Sequence, residues 1–409
     1  MQANALRHLI WLLAALAAFV PLSIDTYLPS LPDIAKELST HSSNVQRTVG
    51  VFLAGLCTGM LIYGPLSDRY GRRKLLLVSI TIYIVASLGC MWIDSVEQLL
   101  ILRFVQALGG AGAMVLARTV ARDLFPLSDA ARILSLMHLI AMLATLIAPI
   151  IGTWLVLIHG WRTIFFALAS VGSICLFLTI IKLPESHPPM ARINSAGVAF
   201  LHYLTVVRHP LAVCYMISMS LSVGGMFCFI TASSFVYIDY FGFSPRHYSL
   251  LFSLNIIGII LATVLNAKLL GRRSPLSMLG LGSTVCAGAG CLLLLLGLTQ
   301  WHAPLVLILL VIIFMGCSGL VGANCIARLM SLFSENAGAA VGLAISVQFG
   351  CGALFSGLVS ILMDGSPQMM CLIMGASGVG GFLCYIAIKH LEQKRTCKEK
   401  QQILSEVNG

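Results

Sequence analysis

Twelve apolar runs, each close to 20 residues or longer, set the limits on what this 409-residue chain can become. About 20 apolar residues carry an α-helix across the hydrocarbon core of a bilayer, which is about 30 Å thick. A chain in lipid must satisfy its own backbone N–H and C=O groups, so runs of this length read as helices. They cover 9–28, 45–65, 75–93, 97–120, 132–157, 162–183, 210–238, 247–269, 275–299, 302–330, 337–363 and 367–389. The expected fold class is an all-α membrane protein with twelve transmembrane helices. Hydrophobic residues make up 58% of the chain and charged residues 10%, against about 25% charged in soluble domains.

The basic residues orient the spans. With the N-terminus inside, 20 of the 25 Lys and Arg fall in inner segments, and only Lys36, Arg47, Arg162 and Arg246 fall outside. A miscounted span would invert that bias downstream of it, so even parity with both termini cytoplasmic is expected. The longest internal loop, 184–209, begins "LPESHPPMARINSAG" and divides the spans six and six. The chain therefore reads as an N-terminal bundle (1–183), a cytoplasmic loop (184–209), a C-terminal bundle (210–390) and a charged cytoplasmic tail (391–409) that is either a frayed helix or solvated. The first run follows Arg7 and contains "ALAAL" as a signal peptide would, but it continues to about Ile24 and reads as a retained helix.

Several function classes fall away. The net charge of +10 resides in short loops without a basic amphipathic face, which fits membrane topology and not nucleic-acid binding. Twelve of the 13 cysteines lie in apolar runs and no C-x-x-C occurs, so small helix-packing residues are expected and no disulfide frame or metal site. There is no G-x-x-x-x-G-K-[ST] and no H-E-x-x-H. No enzyme activity and no bound cofactor are expected.

Both halves repeat one feature. "GPLSDRYGRRK" (64–74) follows span 2, and "NAKLLGRRSP" (266–275) follows span 8, with Lys268 opposite Asp68. Parallel six-helix halves around a central site are a transporter architecture. Gly71 permits a tight turn, the basic residues anchor at the lipid surface, and Asp68 can pair with an arginine. The loop reads either as a latch that holds the inner side shut or as a plain positive-inside loop.

The first copy resembles the loop motif of the major facilitator superfamily. "RFVQALGGAGA" from Arg103 resembles the fourth-helix motif of its proton-coupled members, and "APIIGTWL" (148–155) the fifth-helix motif of its exporters. "SIDTYLPSLP", "ARTVARDLF", "GWRTIFFALA", "ASSFVYIDYFGFSPRHYSLLFSLN" and "ENAGAAVGLAISVQFGCGAL" resemble the bicyclomycin- and chloramphenicol-resistance (Bcr/CflA) subfamily of twelve-span drug:proton antiporters. The resemblance implies two pseudo-symmetric six-helix bundles, a small-molecule substrate, the proton as coupling ion, and a monomer in the bacterial inner membrane. Departures stand at Ala148 and Thr153, where the exporter motif has Gly. They also stand at Ser234, before Phe235, and at Ala323, before Asn324, where the subfamily has Pro.

An intramembrane charge costs at least about 2.5–3.5 kcal/mol on insertion scales, so the few present ask for a role. Two lie well inside the expected spans, Asp25 and Arg103. At 1.5 Å per residue Asp25 is about 24 Å from the inner face and Arg103 about 9 Å from the outer face, so both fall in the outer half. Asp25 reads as the proton carrier or as an interfacial acid near Pro29. Arg103 reads as its charge partner or as a structural arginine, with Gln106 as a hydrogen-bond relay. The gating loop is Gly64, Asp68, Arg69, Gly71, Arg72 and Arg73, and Pro149 with Gly152 reads as a kink with close helix contact. Gly109, Gly110, Gly112, Gly338 and Gly342 read as packing surfaces. Cavity-lining candidates are Tyr27, His138, Phe229, Phe235, Tyr237, Asn255, Asn324 and Gln348. The expected activity is export of neutral or cationic hydrophobic compounds in exchange for protons. The alternatives are export of a native metabolite such as a siderophore or peptide and, remotely, a receptor or assembly factor that transports nothing.

Overall fold

The computed structural model describes residues 3–186, 196–301, 303–334 and 336–407. Every expected span falls on helix. Among the described residues ten helices are long and apolar enough to cross a membrane, and eleven if the bent first pair is one span. The twelfth expected span is α5 (Arg72–Gly89), whose 18 residues open on Arg72, Arg73 and Lys74. Those three charges thin its apolar stretch.

The first span is broken. α1 (Ala3–Ala17) is followed by α2 (Phe19–Asp25), a 3₁₀ turn (Leu28–Ser30) and α3 (Leu31–Glu37), and the stretch Phe19–Glu37 is bent by 42° from His8–Ala17. Pro21 supplies the cause, because its ring clashes with the carbonyl four residues back, that of Ala17, and donates nothing to it. The prolines at 29 and 32 then start new turns, where their missing N–H costs nothing.

The remaining elements of the first half are α4 (Ser42–Tyr70), α6 (Val96–Leu124), α7 (Leu127–His159) and α8 (Arg162–Lys182). The second half holds α10 (Pro210–Ser234), a π-helical turn (Phe235–Tyr240), α11 (Pro245–Leu270), α12 (Pro275–Thr299), α13 (Pro304–Leu332), α14 (Ala337–Leu362) and α15 (Gln368–Val407). Contacts repeat between the halves. α6 packs on α4 and α5, and α5 on α8; likewise α13 packs on α11 and α12, and α12 on α15. Small residues set these distances. A Cβ on Gly109 would stand 2.5 Å from the Tyr83 nitrogen, and one on Gly55 2.6 Å from the Phe104 carbonyl. α4 meets α14 and α7 meets α11 across the halves.

Two expectations about loops change. Segment 184–209 is not polar throughout, because it contains α9 (Ala196–Val207), which packs on α4, α10 and α14; residues 187–195 lie outside the described residues. The tail does not fray at 391, since α15 runs 40 residues to Val407.

Candidate functional site

A cavity of about 610 Å³ lies between the halves at the end that bears the 64–74 loop. α4, α5, α6 and α7 supply Met60, Asp68, Arg72, Met114, Arg118, Arg122 and Leu134, and α13 and α14 supply Met330, Gly338, Gly342 and Ile345. His202 and Tyr203 of α9 also line it. Gly338 and Gly342 are thus not a packing surface: a Cβ on Gly342 would meet nothing within 4 Å.

At the cavity mouth Arg72 organises the loop. Its guanidinium pairs with Asp68 at 2.6 Å, bonds the Ser67 hydroxyl, and donates to Asp123 at the end of α6 at 3.1 Å. The Arg72 backbone N–H donates to Glu185 at 2.9 Å, and Arg73 donates to the Ile180 carbonyl at 2.7 Å. Gly71, at φ +94°, makes the turn. Gly64 lines the cavity, and Arg69 is exposed against the Tyr70 ring. Apart from the one to Glu185 in segment 184–209, these bonds stay inside the first half. In this conformation the loop clamps α4, α5, α6 and α8 together, and none of its ion pairs among the described residues crosses to the second half.

The opposite end is closed. α2 and the 3₁₀ turn pack on α7, α10 and α11. A Cβ on Gly152 would overlap the Thr26 carbonyl oxygen and stand 2.8 Å from its carbon, so only glycine admits this approach. Thr153, at a position where the resembled motif has Gly, shares a 2.7 Å hydrogen bond with Ser249 of α11. Ser249 also donates to the Pro149 carbonyl at 3.0 Å, and Ser253 to the Leu146 carbonyl at 2.7 Å. Phe229, Tyr237, Phe241, Phe243, Tyr248 and Phe252 pack ring against ring in the second half.

Asp25 and Arg103 are both buried, yet no ion pair joins them. The Asp25 carboxyl lies within reach of the Thr145 hydroxyl of α7, which donates to the Ala141 carbonyl at 3.1 Å, and within electrostatic reach of Tyr248, which bonds Ser233 at 3.0 Å. Arg103 is enclosed by rings, its guanidinium carbon 4.5 Å from the Tyr27 centroid and 4.2 Å from that of Phe52. It donates to Gln106 at 2.7 Å, and Gln106 donates to Ser87 at 2.7 Å. Residues two apart on a helical turn do not face one another. Tyr27 faces Arg103, and Asp25 faces away from it, between Thr145 of α7 and Tyr248 of α11. Similar depth along the bundle did not put the two charges together.

None of the eight cavity candidates lines this cavity. Tyr27 is spent on Arg103 and Thr48, and Phe229, Phe235 and Tyr237 are buried in packing. Asn324 bonds Asn266 at 2.9 Å, Asn255 bonds the Leu251 carbonyl at 2.9 Å, Gln348 is half-buried on α14, and His138 is exposed on α7 within reach of Arg118. Sequence reading also missed a clamp at the closed end, where Trp161 donates to Glu37 at 2.7 Å and Arg162 pairs with the same carboxylate and caps the Met91 and Ile93 carbonyls. The signal available was Trp and Arg directly after Gly160, beside a loop holding the acid. Arg118 was missed as well. α6 continues to Leu124, so Arg118 stands more than a turn from the helix end and on the cavity, a third charge beside the two singled out.

The profile of the Major Facilitator Superfamily matches residues 13–356. The chain belongs to the major facilitator superfamily. Its members are transporters and not enzymes, and this one is a multi-pass membrane protein with a small-molecule substrate. The superfamily fold is evident in a D-xylose-proton symporter structure, with TM-score 0.70 at 18% identity over 92% of this chain and 96% of that one. A bicyclomycin resistance protein homolog of Haemophilus influenzae is 33% identical over 287 residues, 70% of this chain and 72% of that protein. Multidrug resistance protein MdtL of Salmonella paratyphi C is 29% identical over 246 residues, 59% of this chain and 60% of that protein.

Proposed function

We propose that this protein is a proton-coupled exporter of small hydrophobic and amphipathic compounds, bicyclomycin- or chloramphenicol-like drugs among them. It works in the bacterial inner membrane with both termini cytoplasmic. The observation that carries the reading is a cavity between the halves, open at one end, with a buried carboxyl, Asp25, at the closed end against the second half. Met60, Met114 and Met330 give the cavity soft, adaptable walls, which suit varied apolar bodies. The names of the similar proteins favour drugs over nutrients.

The cycle follows from the parts. Substrate enters from the cytoplasm while the outer end is shut by the Gly152–Thr26 approach and the Thr153–Ser249 bond. A proton on Asp25 removes the cost of carrying a bare charge through lipid, and its arrival or loss alters the contact with Thr145 and the neighbourhood of Tyr248. Because that neighbourhood spans both halves, protonation biases how residues 1–183 and 210–390 rock against each other. The membrane potential supplies about 2.3 kcal/mol per charge per 100 mV. Arg103, Gln106 and Ser87 hold the opposite side of the first span rigid.

The test is expression in an efflux-deficient bacterial host across a drug panel that includes bicyclomycin and chloramphenicol. Wild type is expected to raise resistance, and Asp25→Asn to lose it together with substrate-driven dissipation of a pH gradient in vesicles. Undiminished coupled export by Asp25→Asn would overturn the carrier assignment. A wild type that moves no drug but changes the exported metabolite profile would put a native siderophore or peptide first.

A further inference from the structure

The cavity carries more positive charge than an exporter of cations would tolerate. Among its described lining residues stand Arg72, Arg118 and Arg122 against one carboxylate, Asp68. Asp68 is committed to Arg72, and Arg72 also takes Asp123. That leaves Arg118 and Arg122 of α6. Neither has a hydrogen-bond or ionic partner among the described residues, and Arg118 is half-buried in the cavity wall. They are four residues apart, so they share one helix face about 6 Å apart along the axis, where like charges repel. His138 on α7 stands within electrostatic reach of Arg118 and adds a third polar group from another helix.

We propose that Arg118, with Arg122, is the anion-accepting end of the cavity, and that amphipathic organic acids are among its substrates. The guanidinium fork matches a carboxylate or sulfonate in bidentate fashion, and in a half-buried site such a bond is stronger than at a surface. The apolar body then lies against Met60, Met114, Val341 and Ile345. The arrangement disfavours cations, which the composition of the spans alone did not. The inference rests on the export reading for its word "substrate", but the binding site stands or falls separately.

The experiment uses the full-length protein in a non-ionic detergent. Three probes share one body: 1-naphthylacetate, its methyl ester and 1-naphthylmethylammonium. Equilibrium binding is expected to favour the acid over the ester by at least tenfold in Kd, with the cation weakest. Arg118→Gln should erase that preference while Arg118→Lys keeps part of it, and thermal unfolding checks that both variants fold. Equal binding of acid and ester, tighter binding of the cation, or an unchanged preference in folded Arg118→Gln overturns the proposal. So does full displacement of the acid by phosphatidylglycerol, which would assign the site to lipid headgroups. A parallel vesicle assay separates the two readings. Gradient-driven export of neutral drugs with no preference for acids would remove the anion site and keep the exporter. Acid-selective binding without any gradient-driven movement would keep the site and remove the exporter.

Discussion

Gly152→Ala is expected to open the closed end of this transporter without unfolding it. The added Cβ would overlap the Thr26 carbonyl oxygen and stand 2.8 and 2.9 Å from its C and Cα. Ordinary carbon–carbon contacts are about 3.5–4.0 Å, so α7 and the first span must separate by about 1 Å or more. The first span cannot yield locally. Thr26 is held by its own bond to the Leu22 carbonyl at 2.6 Å, Tyr27 by Thr48 and the Arg103 guanidinium, and Leu28 is fully buried. Overpacking of this kind costs about 1–3 kcal/mol. If the clash falls only on the closed state, that is a shift of about 5- to 150-fold in the ratio of closed to open.

Hydrogen–deuterium exchange read by mass spectrometry tests this directly. Peptides from Phe19–Glu37 and from the start of α11 should exchange faster in the variant, and peptides around the 64–74 loop more slowly, as the cavity end closes. Gly357→Ala is the control, because its Cβ would meet nothing within 4 Å, and a helical Gly→Ala change there should be neutral or slightly stabilising. Unchanged exchange at a wild-type melting temperature would refute the gating role of the contact. A lower melting temperature with faster exchange at both ends would make it a packing contact only.

Three further outcomes are expected. Arg103→Lys replaces a planar cation stacked between Tyr27 and Phe52 by a compact one and should lose about 2 kcal/mol of stability, read as a lower melting temperature in detergent. Arg72→Gln removes the bridge between Asp68 and Asp123 and should cost about 1–3 kcal/mol, with faster exchange confined to the ends of α4, α5 and α6. Glu37 lies beyond the first span, at the end opposite the cavity. Burial works against its carboxylate, but the bonds from Arg162 and Trp161 outweigh that and hold its pKa below the ordinary value. A depressed carboxyl stabilises the fold above its unfolded pKa of about 4.3 and loses that effect as pH falls through the folded value. The melting-temperature gap between wild type and Glu37→Gln should therefore be present at pH 6 and close below pH of about 4.

The helical spans were legible because lipid leaves so little choice: apolar length alone marks them. Asp25 and Arg103 stood out for the same reason, as charges where charge is costly. Their partners did not. Thr145 and Ser87 are each one hydroxyl among many in apolar helices, and nothing in one sequence marks which faces a carboxyl or a glutamine. Arg118 was misplaced by a boundary. Ending span 4 at residue 120 left Arg118 two residues from its end and counted with the inner charges, whereas α6 runs on to Leu124 and Arg118 lines the cavity. The aromatics misled because size suggests stacking on a ligand, while here Tyr27, Phe229 and Tyr237 stack on an arginine and on each other.

The departures from the resembled motifs show why a lost helix breaker need not straighten a helix. α10 is regular only to Ser234, and the turns from Phe235 to Tyr240 are π-helical, so the irregularity persists where the subfamily has Pro. A π turn widens the backbone by one residue per hydrogen bond and lets the Phe241 N–H reach the Val236 carbonyl. That widening points Tyr237 back into the ring cluster with Tyr248, the residue within reach of Asp25. At Thr153 the exchange runs the other way. A hydroxyl adds a bond across the halves, and its partner Ser249 follows Tyr248 directly. Both departures thus converge on the start of α11, so the acid in "SIDTYLPSLP" and the altered residues of α7 and α10 meet one short segment of the second half. Tyr248 lies within electrostatic reach of Asp25, and the Ser249 bonds that hold the closed end shut are one residue away.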